Sequence, residues 1–338
     1  MVEKVLHNLF RIEIPLPESP LKSLNSYVIK APERNLIIDT GLNRKECLRA
    51  MQTGLRELGV DLEKTDFFIT HLHADHFGLV SKLVTDTSKI YFNRPDAEII
   101  ETWGGWKSMI DYAGMNGFPE NELRAALHSH PGYKYSPEWV PELSILEDGD
   151  TISIGDYLFK CVETPGHTRG HTCLYESAKK ILLCGDHILN DITPNIQCWS
   201  DQENPLKNYL TSLDKVYGLD VNLVLPGHRR LFKNYKERIK ELKRHHQERA
   251  DEALLILSKG SKHAFQVASE MTWDIGYESW EKFPVSQKWF ATGEAIAHLR
   301  YLEEKGMVFR EAEEKMIMYS LTKQSILLFA LYITEKDL

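Results

Sequence analysis

Thr70-His71-Leu72-His73-Ala74-Asp75-His76 follows an apolar run, Phe67-Phe68-Ile69, that reads as a buried strand. His71, His73, Asp75 and His76 offer imidazole and carboxylate groups, donors that suit zinc and its neighbours. Side chains two apart on extended backbone point the same way, so His71 and His73 can grip one ion while Asp75 and His76 turn toward another. The stretch predicts a two-metal site.

Three later motifs extend it: Thr164-Pro165-Gly166-His167-Thr168-Arg169-Gly170-His171, Leu183-Cys184-Gly185-Asp186-His187 and Leu225-Pro226-Gly227-His228. Each closes an apolar strand pattern. A ligand on a glycine-containing turn after a strand sits on rigid scaffold while the backbone bends tightly enough to aim the side chain. No phosphate-cradling glycine loop, nucleophile elbow or dinucleotide fingerprint is present, so no cofactor beyond metal is implied.

Around these motifs the chain alternates strands with helices. Strand patterns cover Leu9 to Ile14, Ser26 to Ile29, Leu36 to Ile38, Phe67 to Ile69 and Lys89 to Phe92, with an amphipathic helix over Arg44 to Leu58. A second cluster covers Thr151 to Ile154, Tyr157 to Glu163, Thr172 to Glu176, Lys180 to Leu183 and Asn222 to Leu225. Two sheets between helical layers accommodate that count, an α/β four-layer αββα sandwich. From Arg94 to Pro141 the strand rhythm stops, and Trp106, Met109, Tyr112 and Trp139 lie among glycines; this predicts a helical insertion serving as a substrate lid. A catalytic domain over 1–234, a linking helix over 235–260 and a small winged-helix-like domain over 261–338, closed by a terminal helix, complete the expected organisation.

The ordered pattern His-x-His-x-Asp-His, then His, then Asp, then His resembles that of the metallo-β-lactamase-fold hydrolases, over roughly residues 5 to 232. The winged-helix-like tail and the run from Gly185 to Ile196 look most like its β-lactamase-like, glyoxalase II-like branch. The resemblance implies a first metal site of His71, His73 and His167, a second of Asp75, His76 and His228, and Asp186 bridging both. It implies zinc, with iron or manganese as alternatives, and Asp75 and Asp186 as the catalytic carboxylates. Two divalent ions about 3.5 to 4 Å apart lower the pKa of a shared water to near neutrality, so the nucleophile would be water-derived. Asp39, in Ile38-Asp39-Thr40-Gly41, matches a motif the family places beneath the site, where a carboxylate takes the other ring N–H of a ligand. His171 and His187 are extra to the ligand set and read equally as core or pocket groups.

The implied reaction is hydrolysis of a small carbonyl substrate: an ester, thioester or lactone. Two other chemistries of the same fold stay open, single-strand-specific RNA cleavage and a mononuclear-iron persulfide dioxygenase using His71, His167 and Asp186. The basic run from Lys233 to Arg249 makes RNA imaginable, but its interleaved Glu237, Glu241 and Glu248 read better as a solvated ion-paired face.

The 338 residues are 42% hydrophobic, enough to bury a full core, and the formal net charge of -8 gives no general attraction to nucleic acid or anionic membranes. The scattered cysteines Cys47, Cys161, Cys173, Cys184 and Cys198 fit a reducing compartment. With neither a signal-peptide core nor a membrane-length apolar run, the expectation is a cytoplasmic protein. A homodimer, through the tail bearing Trp273, Trp280 and Trp289, is a further expectation.

Overall fold

The computed structural model describes residues 1–102, 105–274, 276–313 and 315–327. Trp103, Gly104 and the end of the expected terminal helix lie outside the described residues; of that helix only 323–327 are described. The chain forms two compact units, one of residues 1–103, 131–194 and 211–239, the other of 104–130, 195–210 and 240–338.

The first unit carries two sheets. One runs in chain order through β1 (Val2–Leu6), β2 (Leu9–Pro15), β3 (Ser23–Ile29), β4 (Asn35–Ile38), β5 (Thr65–Phe68), β6 (Ile90–Asn93) and β7 (Ser144–Leu146). The pairs are antiparallel as far as β4 and parallel from β4 to β7. The other contains β8 (Thr151–Ile154), β9 (Tyr157–Glu163), β10 (Thr172–Glu176), β11 (Ile181–Gly185) and β12 (Leu223–Pro226), in the order β12-β11-β10-β9-β8. Only β11 and β12 pair in parallel in this sheet.

Strand alternation decides the layers. Leu9, Tyr27, Ile29, Leu36, Ile38 and Phe68 point from the first sheet into a core shared with Phe159, Cys161, Leu174, Leu183 and Leu225 of the second. Their neighbours Ile12, Ile14, Val28, Ile37 and Phe67 point the other way, onto Cys47, Met51 and Leu55 of the helix Lys45–Leu58. That helix ends on Gly59 at φ 62, the left-handed cap position that glycine occupies without strain. Beyond the second sheet, Ser212 Oγ in the helix Pro205–Tyr217 donates to Pro165 O at 2.8 Å. The first unit is thus the mixed α/β sandwich that the strand count predicts.

The second unit gathers around the helix Val285–Glu304, which buries Trp289, Ala295, Ile296, Leu299 and Leu302. A helix apolar on several faces belongs in a core. This one therefore has little face left for a nucleic-acid groove. Ala113 of the helix Lys107–Met115 and Ala126 of the helix Glu120–Ser129 pack with Phe118 and Trp289, and Trp199 stacks on Trp289 at 4.2 Å between ring centroids. The hairpin of β13 (Val308–Glu313) and β14 (Met316–Leu321) follows, bridged by Tyr319 to Lys262 ahead of the helix Ala264–Glu270. Trp289 is 2% exposed, whereas Trp273 and Trp280 are only partly buried.

The division differs from the contiguous one that the sequence suggests. The middle of the expected insertion, 104–130, shares the core of the C-terminal segment, and the helix Tyr235–Leu257 gives its first residues to one unit and the rest to the other. The reason is apolar surface: Ala113, Phe118 and Ala126 cannot be buried by two short helices alone and find their cover on Trp289. Among the described residues no helix is long and apolar enough to cross a membrane.

Candidate metal centre

Strand ends build the site. β5 ends at Phe68 and the chain bends through Thr70, His71 and Leu72 to an extended His73, rather than continuing as the extended run that the sequence suggests; it then coils into the short helix Ala74–Phe77, which swings Asp75 and His76 aside. His167 follows β9, Asp186 follows β11, and His228 follows β12 after Gly227. Backbone bonds join these ends: Thr172 N donates to Thr70 O at 2.9 Å, and Gly227 N to Gly185 O at 2.7 Å. Gly227 has no room for a side chain, because a Cβ there would stand 2.7 Å from Asp186 Oδ1 and 2.8 Å from His76 Cε1.

The ligand residues named from the sequence come together here. His71, His73 and His167 place one donor atom each within 4.8 Å of one another, as do Asp75, His76 and His228, and as do His71, His76 and Asp186. Asp186 stands between the first two groups: its Oδ2 is 3.5 Å from His167 Nε2 and 3.5 Å from His228 Nε2, and its Oδ1 is 3.4 Å from His76 Nε2. Asp75 Oδ2 lies 3.3 Å from His228 Nε2.

The opposite ring nitrogens explain why these Nε2 atoms face inward. His76 Nδ1 sits 2.7 Å from Asp39 Oδ2, and His228 Nδ1 sits 2.7 Å from Ser23 O. Both partners are acceptors, so each Nδ1 carries a proton and Nε2 is the nitrogen left to face a cation, or to hold a second proton where none is bound. Thr70 donates its backbone N–H to Asp39 Oδ1 at 2.8 Å and its hydroxyl to Asp39 Oδ2 at 2.9 Å, leaving Oγ1 to accept from His71 Nδ1 at 3.0 Å. Nε2 of His71, fully buried, has no hydrogen-bond partner. A buried acceptor without a donor costs free energy unless something fills it, and several converging on carboxylates fit a divalent cation. Asp39, which makes these contacts, holds φ at 59, a left-handed conformation uncommon outside glycine and a mark of a constrained site.

Charge is divided unevenly across the centre. Burial, aided by the neighbouring imidazoles, drives His71 well below the ordinary histidine value and brings His73 down to about 3. Burial opposes the charged form of His228 as well, but the Asp186 and Asp75 carboxylates overcome it and raise His228 to about 10. His76 rises in the same way, with burial outweighed by Asp39 and Asp186. Asp186 moves down, its burial outweighed by His228 and His76. The half with carboxylates thus holds protons where a cation would otherwise neutralise them.

His171 and His187 belong to none of the groups of described residues close enough to hold an ion. His171 Nδ1 is bound to Thr164 Oγ1 at 2.8 Å, and its Nε2 accepts the Asp186 backbone N–H at 3.1 Å. It therefore orients the peptide that carries Asp186. Sequence reasoning missed Thr70, Thr164 and Ser23, which hold the Nδ1 atoms of His71, His171 and His228. Their polar types next to a histidine motif were a usable signal for the first two; Ser23 acts through its backbone carbonyl and left none.

A family model described as Metallo-beta-lactamase superfamily matches residues 21–228, and one described as Metallo-beta-lactamase-like, C-terminal domain matches residues 281–321. The chain belongs to the metallo-beta-lactamase superfamily and is a hydrolase of it, a superfamily that binds divalent metals. Its relatives include the probable metallo-hydrolase YqjP of Bacillus subtilis (strain 168), 24% identical over 327 residues, or 94% of this chain and 99% of the other. Another is the acyl-coenzyme A thioesterase MBLAC2 of Homo sapiens, 27% identical over 60% of this chain and 72% of its own length. A crystal structure of a metallo-beta-lactamase family protein from Thermus thermophilus is similar with a TM-score of 0.80 and 26% identity, covering 94% of this chain and 100% of that one.

Proposed function

We propose that the chain hydrolyses a small acyl substrate, an activated ester or thioester, at a two-metal centre. His71, His73 and His167 would hold one divalent ion, Asp75, His76 and His228 the other, with Asp186 shared. The observation that carries the reading is the convergence of inward-facing Nε2 atoms on Asp186, with His76 and His228 locked in the Nδ1-protonated form by Asp39 and Ser23. The thioesterase activity in the name of the human relative supports an acyl substrate, and zinc suits the nitrogen-rich donor set.

Bound divalent cations would supply a nucleophile at neutral pH and polarise the acyl oxygen. The residues of the chain do the rest. Asp75, partly exposed where Asp186 is buried, is the carboxylate placed to accept a proton from attacking water. Asp39 and Ser23 hold the His76 and His228 rings so that no reorganisation is needed as charge develops. Elemental analysis of protein purified without added metal, followed by assays on acyl-coenzyme A thioesters, lactones, phosphodiesters and single-stranded RNA, tests the reading. Two divalent ions per chain and thioester turnover are expected. Turnover confined to RNA, or one iron per chain with oxygen consumption, would overturn it in favour of the nuclease or the oxygenase.

A further inference from the structure

Asp96 has no place in the ligand set, yet its carboxylate is fully buried. It follows β6 in the helix Arg94–Glu101, where its own N–H donates to the cap residue Asn93 Oδ1 at 2.8 Å. Its carboxylate makes no ion pair among the described residues and instead accepts from two separate loops. Oδ2 takes the Leu72 N–H at 3.0 Å and the Thr168 hydroxyl at 2.8 Å; Oδ1 takes the Gly170 N–H at 2.8 Å. Leu72 lies between His71 and His73, and Thr168 follows His167 directly. Every residue of the three-histidine group is therefore next in sequence to a donor held by this one carboxylate, and none of Asp75, His76 and His228 is.

The fit is close. A Cβ on Gly170 would fall 1.5 Å from Asn93 Oδ1 and 2.7 Å from Asp96 N, so the His167 loop can lie on this helix only with glycine there. The result is regular: the rings of His71, His73 and His167 stand 4.6, 4.6 and 4.9 Å apart between centroids, at interplanar angles of 74 to 84°. His71 belongs to β5's exit and His167 to the turn between β9 and β10, so the two come from different sheets. Pairing within either sheet does not fix their separation; beside the Thr172 N–H bond to Thr70 O, a buried acceptor that both loops share ties them together.

We infer that Asp96 is the positioning residue of the three-histidine half of the centre, setting the spacing of His71, His73 and His167 that a cation there requires. The inference rests on the metal-centre reading above. Preorganised ligand loops gain affinity because the cost of ordering them is met on folding rather than on binding.

The test is a zinc titration of full-length chain, stripped of metal and monitored by competition with a chromophoric chelator, repeated with cobalt for its absorption spectrum. Asp96→Asn keeps the shape but replaces one acceptor oxygen with a donor, so one loop loses its tie. Affinity for one of the two ions should fall ~10–100-fold, the range expected when a partner that orients a ligand is lost, while the other ion binds as in the wild type. Thr168→Val, which loses a single bond, should move the same site in the same direction by less, and serves alone if Asp96→Asn does not fold. Two unchanged affinities would overturn the inference. So would equal weakening of both sites together with a lowered melting temperature, the signature of a merely structural residue. A wild-type chain that binds no metal would instead sink the metal-centre reading itself.

Discussion

His71, His76 and His228 in the first unit and His246 and His298 in the second are all between 0 and 1% exposed, so burial alone does not distinguish them. What differs is where the lone pairs go. In the second unit His298 Nδ1 donates to Glu294 O at 2.9 Å and its Nε2 then accepts from His246 Nδ1 at 3.2 Å, a chain of bonds that runs along the core rather than toward a point. The nearby Glu294 carboxylate is occupied by Asn195 at 2.9 Å and by Arg249 at 3.6 Å. In the first unit Asp39 and Ser23 take the outer protons and the inner nitrogens face Asp186. A histidine cluster becomes a metal site through its acceptors on the far side and a free carboxylate on the near side, not through its number of rings.

The sharpest way to break this comparison is to remove the carboxylate. Asp186→Asn takes away the charge that faces histidines of both groups, and since such charge stabilisation is worth several kcal/mol, turnover should drop by ~10³ or more. Metal content by elemental analysis should fall with it. His298→Gln, equally buried but outside any convergent set, should leave both measurements where they were. If the two variants behaved alike, the distinction drawn between the clusters would be empty.

A second contrast concerns packing. Trp289 is the centre of the aromatic core of the second unit, against Phe118, Trp199 and Ala126, and no metal-ligand candidate belongs to that core. Trp289→Ala should destabilise that unit by about 3–5 kcal/mol, the usual cost of emptying a large aromatic site. Denaturant titration would show this, with zinc stoichiometry unchanged. Loss of zinc in the folded variant would mean that the core of the second unit also sets the centre. His171→Ala is subtler: without an acceptor for the Asp186 N–H, metal affinity should weaken ~10–100-fold while the unfolding midpoint moves less than in Trp289→Ala.

The two units also differ in how much of them can be read from the chain. In the first, the strand-then-ligand rhythm is local: His71, His73, Asp75 and His76 lie within six residues, and Gly166, Gly185 and Gly227 mark the bends before or beside the others. Continuous apolar runs placed the central strands, buried on both faces, and alternation placed strands such as β8, buried on one, to within a few residues. β1 and β7 were not legible: partly exposed edge strands, they carry no clear alternation. Asp96 was illegible for another reason. Asn93-Arg94-Pro95-Asp96 reads as an ordinary helix start, and its bonds to Leu72 and Thr168 join places far apart in sequence, with no local pattern to announce them. The second unit is assembled from three separate segments, so a contiguous division could not anticipate it.

Acid offers the mildest and most discriminating probe of the comparison. Burial holds His298 down at about 3, whereas an unfolded histidine titrates near 6.5. Below about 6.5 the unfolded chain binds a proton that the folded one refuses, so this contribution is complete above pH 6.5 and is lost progressively as pH falls toward 3. By pH 5.5 the loss should be on the order of 1 kcal/mol, read as a lowered denaturant midpoint in tryptophan fluorescence, and His298→Gln should remove part of the dependence, the rest belonging to His246 and His130, which burial also lowers. The metal-loaded first unit should respond to acid differently, because there protons compete with cations for the same imidazole nitrogens and added zinc should push the transition to lower pH. Zinc that shifted the His298-dependent limb as well would show that the histidines of the second unit also take part in metal binding. The separation argued from lone-pair direction would then fail.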